Sequence, residues 1–558
     1  MSLQDAPLDP HADSGPVSVT VVAVGLTLLT IAAYAALSLA GFVWDDDTLV
    51  LRNTLTGDWR NVPQMFTVDL WAAADPPMST GYFRPLMLVS LAIDRALWGL
   101  SPVGHHLHSL VWHLIAAAGL WALLRRIVPP WPAVAGAALF LLHPLQSEAV
   151  AWIAARNDLM VAAFTFWSVS LLWDKRPSRG ALFSGGLLAA AAMLSKESGL
   201  LIGGLLLVLD LARWGRPRGW GRYAVVAVGI VGWLILRDRA GIELVTTTHE
   251  AHWEIMLAKA HQLAAHYALR VLVPWPLTTG DHMDYLEFSA SELLMGLGGG
   301  VAAVTILLTR GGRLAAAGLA FALLSFAPCL VAIAMHGLIG ERYLYAPMGG
   351  LSLAFAAATA GLPRRFFVVL APLALGAALV ISQRLPAWAS ELDLWEAAYT
   401  QRPNPMNAGG YGNALMYRGE LERACPLLMG SLNAALPSLS ACTPALRCLT
   451  KAGAVEDAAR LADELGPRGC ELDGALQALR ALVYARAGRW EEARALAASP
   501  EVASVSEAIV VRGALARQDG DEAAYAAVRA EVPSAGGAAL DAVVMALLQG
   551  SPSPTPPP

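Results

Sequence analysis

Residues 255–273 read IMLAKAHQLAAHYALRVLV. The stretch is apolar enough to resemble a membrane span, yet Lys259, His261, His266 and Arg270 interrupt it. Its placement sets the sidedness of everything after it. Eleven other apolar segments surround it, near 17–40, 107–124, 132–147, 159–173, 181–195, 198–212, 223–236, 291–309, 314–335, 345–361 and 366–382. Roughly 20 apolar residues cross a bilayer, and buried helices of a bundle tolerate somewhat fewer. With a cytoplasmic N-terminus, Arg125, Arg126, Arg213, Arg216, Arg218, Arg222, Arg310, Arg313, Arg364 and Arg365 all fall inside, as the Lys/Arg bias of short loops requires. Were 255–273 to span, the last four would move outside. It is therefore read as an amphipathic helix on the outer interface. Eleven spans remain, and the chain emerges outside at residue 383.

Composition agrees. Of 558 residues, 56% are apolar and 15% charged, against about 25% charged in a soluble domain. Too little polar surface exists to cover one soluble globule of this size. A net charge of −5 excludes a basic nucleic-acid binder. The expected fold class is all-α: a polytopic membrane helical bundle followed by a helical repeat domain. The expected division is a disordered tail at 1–16, a transmembrane domain at 17–383 with an outer loop at 41–106 and an interfacial segment at 255–290, a repeat domain at 384–550, and a Ser/Pro-rich tail at 551–558.

The repeat domain rests on a recurring frame. Gly419-Glu-Leu-Glu-Arg-Ala424, Gly453-Ala-Val-Glu-Asp-Ala458 and Gly488-Arg-Trp-Glu-Glu-Ala493 share G-x-x-E-x-A, with Gly520-Asp-Glu-Ala-Ala524 a weaker fourth. The spacing matches the period of about 34 residues of tetratricopeptide repeats. Cys425, Cys442, Cys448 and Cys470 cluster here. In an oxidising compartment they can pair in three ways; in a reducing one they are small core residues. No Cys/His spacing points to zinc.

The charged residues that could carry chemistry gather on the outer side. Trp44-Asp45-Asp46-Asp47 follows the first span; a carboxylate there can take a proton from a hydroxyl, or the run is simply an exposed helix end. Arg84, in Tyr82-Phe-Arg84-Pro85, can hold a phosphate or anchor at headgroups. His106 shares a helix face with His113 and reads as polar packing that faces the site. The densest stretch runs from His143 through Glu148 and Trp152 to Arg156 and Asp158. Glu148, Trp152 and Arg156 step by four along one helix side. Intramembrane charge of this kind is functional or a structural ion-pair network. Lys196 lies at another outer hairpin, and Glu341, Arg342 and Tyr345 at a third.

At these residues the sequence resembles the transmembrane-and-tetratricopeptide-repeat (TMTC-like) proteins, C-type glycosyltransferases similar to protein O-mannosyltransferases. The motifs are F-V-W-D-D at Phe42–Asp46, Y-x-R-P-L at Tyr82–Leu86, H-P-x-x-x-E-A-V-x-W-I at His143–Ile153, R-x-D-L at Arg156–Leu159, S-K-E at Ser195–Glu197 and E-R-Y-L-Y at Glu341–Tyr345. The chain departs from the family pattern at Gln146 and Ala155.

The resemblance implies sugar transfer, with inversion, from a polyprenyl-phosphate donor to a hydroxyl. The sugar is expected to be mannose and the acceptor a Ser/Thr of an exported protein, recruited by the repeats. Asp45 is then the candidate base and Asp46 positions acceptor or base. Arg342 is the donor-phosphate ligand, supported by Lys196 and Arg84. The remaining expected substrate-binding residues are His106, His143, Glu148, Arg156, Asp158, Glu341 and Tyr345. No cofactor is implied beyond the lipid-phosphate sugar, and no metal is required if arginines stabilise the leaving group. Compact loops point to a bacterial inner membrane, with the C-terminal domain periplasmic. Two other readings stand beside this one: sugar transfer to a surface lipid or polysaccharide, and a non-catalytic membrane-anchored repeat scaffold.

Overall fold

The computed structural model describes residues 18–73, 80–174, 176–242, 253–275, 279–503, 505–532 and 537–549. Both expected tails lie outside them, as do 74–79 of the outer loop and 276–278 of the interfacial segment. The described chain is helical almost throughout. Among the described residues the strands are a two-residue pair, Asp281–His282 against Leu338–Ile339, antiparallel.

Each of the eleven apolar segments falls on helix. A backbone in lipid must satisfy its hydrogen bonds internally, and a helix does so within one segment. Five helical runs among the described residues are long and apolar enough to cross a membrane: Val19–Leu39, Pro102–Leu124, Trp220–Arg239, Ala290–His336 and Arg364–Trp388. The Gly299–His336 helix within the fourth carries non-helical backbone at Gly312 (φ 55°, ψ −137°), so 291–309 and 314–335 form separate helical pieces. The shorter helices Pro130–Leu142, Arg156–Leu172, Arg179–Ser195, Ile202–Trp214 and Tyr345–Ala358 complete the set. Arg156–Leu172 is buried along nearly its whole length, which explains an apolar run with little amphipathic pattern.

The segment 255–273 forms two short helices, Trp253–Ala258 and Ala260–Leu272. Leu263, His266, Tyr267 and Arg270 are buried, whereas Leu257 and Leu272 are exposed. Lys259 Nζ donates to the carbonyls of Met283, Asp284 and Leu286 at 3.1, 2.8 and 3.2 Å. Of the polar residues that make this a poor span, Lys259, His266 and Arg270 therefore serve packing against the protein, while His261 is exposed.

Small residues let the hairpin at Glu341–Leu344 sit where it does. A Cβ on Gly318 would meet Gly350 O at 2.6 Å, and one on Gly350 would meet Gly318 O at 2.5 Å. The two helices that flank the hairpin thus touch backbone to backbone, a close approach that only glycine allows.

The chain divides into compact units at Ala397/Ala398. Composition changes earlier, near 384. The intervening residues stay with the first unit because Arg384 pairs with Glu341 at 2.5 Å and Trp388 O accepts from Gly41 N at 3.1 Å.

The second unit contains four consecutive helix pairs: Pro405–Tyr417 with Leu421–Asn433, Cys442–Lys451 with Val455–Glu464, Gly474–Arg486 with Trp490–Ala497, and Ser506–Gln518 with Glu522–Ala530. Gly419, Gly453, Gly488 and Gly520 make the turn within each pair, all at positive φ (82°, 73°, 76° and 72°). The repeated frame is therefore a left-handed turn between helices, followed by an alanine (Ala424, Ala458 or Ala493) buried against its partner. Two disulfides, Cys425–Cys448 and Cys442–Cys470, staple the first two pairs, and Cys329 is a buried free thiol. Denatured without reductant, the full chain should take up one alkylating group, and after reduction five. Intact-mass spectrometry reads this directly, and more than one adduct before reduction contradicts the pairing.

Candidate active site

The loop after the first apolar helix turns sharply at its acidic run. Asp46 N donates to Val43 O (3.1 Å) and Asp47 N to Trp44 O (3.2 Å). The Asp46 carboxylate is fully buried and accepts from Val43 N (3.2 Å) and Ala154 N (2.8 Å). It ties the loop to the Ile153–Ala155 turn. Asp47 pairs with Arg52. Trp44 has φ 55°, the one non-glycine positive φ among the described residues. For a bulky residue this is strained backbone, the kind that persists only where tertiary contacts impose it. Here Trp44 N donates to Glu391 Oε2 at 2.7 Å, and the indole stacks on Trp152 with centroids 4.9 Å apart.

With Asp46 and Asp47 engaged elsewhere, Asp45 faces a cavity of about 580 Å³. Arg84, Asp158, Lys196, Glu197, Arg237 and Arg342 also line it, with the aromatic side chains of Tyr82, Trp152 and Tyr343 and the apolar wall of the helix ending at His336. Most of its charges are paired. Arg84 binds Glu197 (2.9 Å) and lies over the Tyr82 ring (4.2 Å). Lys196 binds Asp158 (2.5 Å). Arg342 Nη1 donates to Glu148 Oε1 (2.7 Å), and its guanidinium lies between the rings of Trp152 (4.6 Å) and Tyr343 (4.7 Å). Glu148 Oε2 accepts from Glu341 N (2.9 Å), so one carboxylate fixes both the hairpin backbone and its arginine.

Asp45 is different. Among the described residues no hydrogen bond or ion pair engages its carboxylate. Burial pushes its pKa up to about 6, against the pull of Arg342 and with the help of Glu391. A carboxylate poised near neutrality, unpaired and facing a cavity, is suited to accepting a proton.

The structure brings Asp45, Arg84, Asp158, Lys196 and Arg342 together on this cavity. Asp46, Glu148 and Glu341 sit directly behind it and hold its walls. Four expected residues lie elsewhere. His106 Nε2 contacts Gly41 O (3.0 Å), His143 Nε2 contacts Val271 O (3.0 Å), and the Tyr345 hydroxyl meets His113 Nδ1 (2.7 Å). Arg156 is completely buried against Asp94, Ser90 (3.1 Å), Ser109 (3.1 Å) and the His105 carbonyl (2.6 Å). The step of four that aligned Arg156 with Glu148 assumed one helix. The chain instead leaves helix at Trp152 and re-enters through a 3-10 turn, so the two charges turn to different neighbours. Sequence reasoning gave no role to Glu197, Arg237 or Glu391. The spacing of Glu391 to Trp395, four residues along a helix just past the last apolar segment, was the available signal for the third.

No family model matches the chain. Its curated relatives are protein O-mannosyltransferases. It is 32% identical to protein O-mannosyl-transferase Tmtc1 of Drosophila melanogaster over 198 residues, 33% of this chain and 22% of that protein. It is 31% identical to Tmtc2 of the same fly over 174 residues, 29% and 18% of the two chains. Human TMTC3 is 25% identical over 180 residues, 31% and 19%. The matched region thus spans about a fifth of the length of these relatives. Among solved structures, ArnT from Cupriavidus metallidurans bound to undecaprenyl phosphate aligns over 86% of this chain and 79% of its own, at 15% identity and a TM-score of 0.38. The five long apolar helical runs make the chain an integral membrane protein.

The Arg156–Asp94 pair is structural, with both side chains at 0% exposure. Asp94→Ala should strand a buried guanidinium and cost about 3–5 kcal/mol, whereas Asp94→Leu with Arg156→Met should recover most of it. Thermal unfolding in detergent tests this; a double variant no more stable than Asp94→Ala alone would contradict it.

Proposed function

We propose that the chain is a membrane glycosyltransferase. It moves a sugar, mannose by analogy with its relatives, from a polyprenyl-phosphate donor to a Ser/Thr hydroxyl of an exported protein. The observation that carries this reading is the unpaired Asp45 carboxylate in a cavity that Arg342, Arg84 and Lys196 also line.

The chemistry follows from a base and cations that share one cavity. Asp45 takes the proton of the acceptor hydroxyl. The hydroxyl oxygen attacks the anomeric carbon as the bond from that carbon to the phosphate oxygen breaks, and the phosphate leaves with the electron pair. One displacement inverts the centre. Fixed positive charge in a water-poor cavity stabilises the departing phosphate far more than it would in water. In this reading Arg342 is the principal ligand: its stacking between two rings keeps the guanidinium from collapsing onto Asp45. These cations supply the charge a metal would otherwise provide, so chelator should leave the rate unchanged.

A second cavity supports a lipid-linked donor. It is an apolar groove of about 460 Å³ between the Arg179–Ser195 and Trp220–Arg239 helices, lined by Phe183, Leu187, Val228, Gly229, Gly232, Trp233 and Leu236. Its upper residue Leu236 adjoins Arg237, which lines the charged cavity. An isoprenoid tail in this groove would deliver its phosphate to the cations. The disulfides of the second unit favour an oxidising compartment, and this reading assigns site and repeats to the periplasmic side of a bacterial inner membrane. The stacked helix pairs would recruit the acceptor.

The test is transfer from a radiolabelled polyprenyl-phosphate mannose by the full chain in proteoliposomes, with label followed into protein and lipid fractions. Label in protein is expected; label confined to lipid or glycan would redirect the acceptor assignment, and none in any fraction would remove the reading. Asp45→Asn should lower transfer by about 100-fold or more, and the natural enzyme should lose activity as pH falls through about 6. Because burial raises this carboxyl, keeping it charged costs stability at pH values above its unfolded pKa. Asp45→Asn should therefore melt higher than the natural chain near pH 7.5 and match it below about pH 4; equal melting at both would reject the raised pKa.

Gly232 tests the groove. A Cβ there meets nothing within 4 Å, so Gly232→Phe fills space without a backbone clash. It should raise the donor KM about tenfold with kcat largely kept; an unchanged KM would place the tail elsewhere.

A further inference from the structure

Glu391 stands at the start of the Glu391–Gln401 helix, outside every motif quoted above. Its two carboxylate oxygens do separate jobs. Oε2 accepts the Trp44 N–H at 2.7 Å, and Oε1 accepts the Trp395 indole N–H at 2.6 Å. Trp395 leans on the Trp44 ring with centroids 5.2 Å apart, while Trp152 stacks on it at 4.9 Å. Nothing local keeps a tryptophan in left-handed backbone, since its Cβ opposes that conformation. Tertiary contacts must do it, and two of the three just named pass through Glu391. Asp45 is the next residue. Asp46, held by Val43 N and Ala154 N, fixes the chain on one side of Asp45, and Trp44, held by Glu391, fixes it on the other.

We propose that Glu391 is a positioning residue for the base: it holds Trp44 in the left-handed conformation that aims Asp45 into the cavity, and its negative charge strengthens Asp45 as a proton acceptor. This rests on the assignment of Asp45 as the base. The geometry alone supports the first half, and the charges around Asp45 support the second. Arg342 faces Asp45 and favours its carboxylate form, whereas Glu391 disfavours it and so raises basicity. Asp46 lies beside it. In the same cavity Arg84 is paired with Glu197 and Lys196 with Asp158, so their fields largely cancel, and the Tyr82 and Tyr343 hydroxyls stay neutral in the working range.

Two measurements on the full chain test the proposal. The first is kinetic. Glu391→Ala should lower kcat about 10- to 100-fold, as misplacing a reacting group does, with the donor KM held within about twofold. Glu391→Gln should shift the acid limb of the pH–rate profile down by about 0.5 unit, because removing the neighbouring negative charge makes Asp45 a weaker base. A merely structural Glu391 would lower yield or raise KM without moving that limb. The second needs no turnover. In a chain carrying Asp45→Cys and Cys329→Ala, the rate at which the introduced thiol reacts with a polar maleimide reports its direction. Adding Glu391→Ala should change that rate about threefold or more, as a freed loop samples other orientations. An unshifted acid limb with kcat within about twofold of the natural value, or an unchanged maleimide rate, overturns the proposal. Should the natural chain transfer no sugar at all, the base assignment falls, and the maleimide rate still decides whether Glu391 orients the side chain at position 45.

Discussion

One guanidinium packed on two aromatic rings holds the charged face together. Arg342 lies over Trp152 and Tyr343, and Glu148 binds it from the side. A desolvated cation over such rings gains about 2 kcal/mol or more per ring, and the ion pair removes the cost of burying the charge alone. The column continues, because the Trp152 ring that supports Arg342 also stacks on Trp44. Segments near residues 44, 150 and 342 are thereby locked into one surface. The cation and the acidic loop it faces share a single aromatic wall, so moving one moves the other.

That wall also keeps opposite charges apart. If Arg342 were free to reach Asp45, the two would pair, and the carboxylate would lose its basicity. Glu148 takes the arginine instead, and Glu391 takes the backbone beside Asp45. What remains is a carboxylate with no partner among the described residues and a row of cations already held in place. A site of this kind needs little rearrangement when charge develops on a leaving group. The strain at Trp44 is the local cost of the arrangement.

Part of this was legible from residue order. Eleven apolar segments became helices because hydrophobic length and backbone self-satisfaction are local properties. The glycine frames became left-handed turns for the same reason. Asp45, Arg84, Asp158 and Arg342 stand near aromatic residues in the sequence, and the structure places them with Lys196 on one cavity. His106, His143, Tyr345 and Arg156 looked equivalent in sequence, yet each spends its polar atoms on a neighbour outside the cavity. Arg156 and Arg342 are the instructive pair. Both are arginines a few residues from an aromatic ring and both bind a carboxylate. One is sealed between helices with Asp94, and the other opens onto the cavity.

Residue order alone specified the helices, the turn positions of the repeats and the region of the chain where the charges collect. All of these depend on residues within a few turns of one another. Packing in three dimensions settled which charges face the cavity, which cysteines pair, and that Trp44 adopts a left-handed backbone under the hold of a glutamate 347 residues away. Those outcomes depend on how far each helix is rotated and how closely its neighbours approach, as where Gly318 meets Gly350. Rotation and approach are set by the bundle as a whole, and no short stretch of residues encodes them.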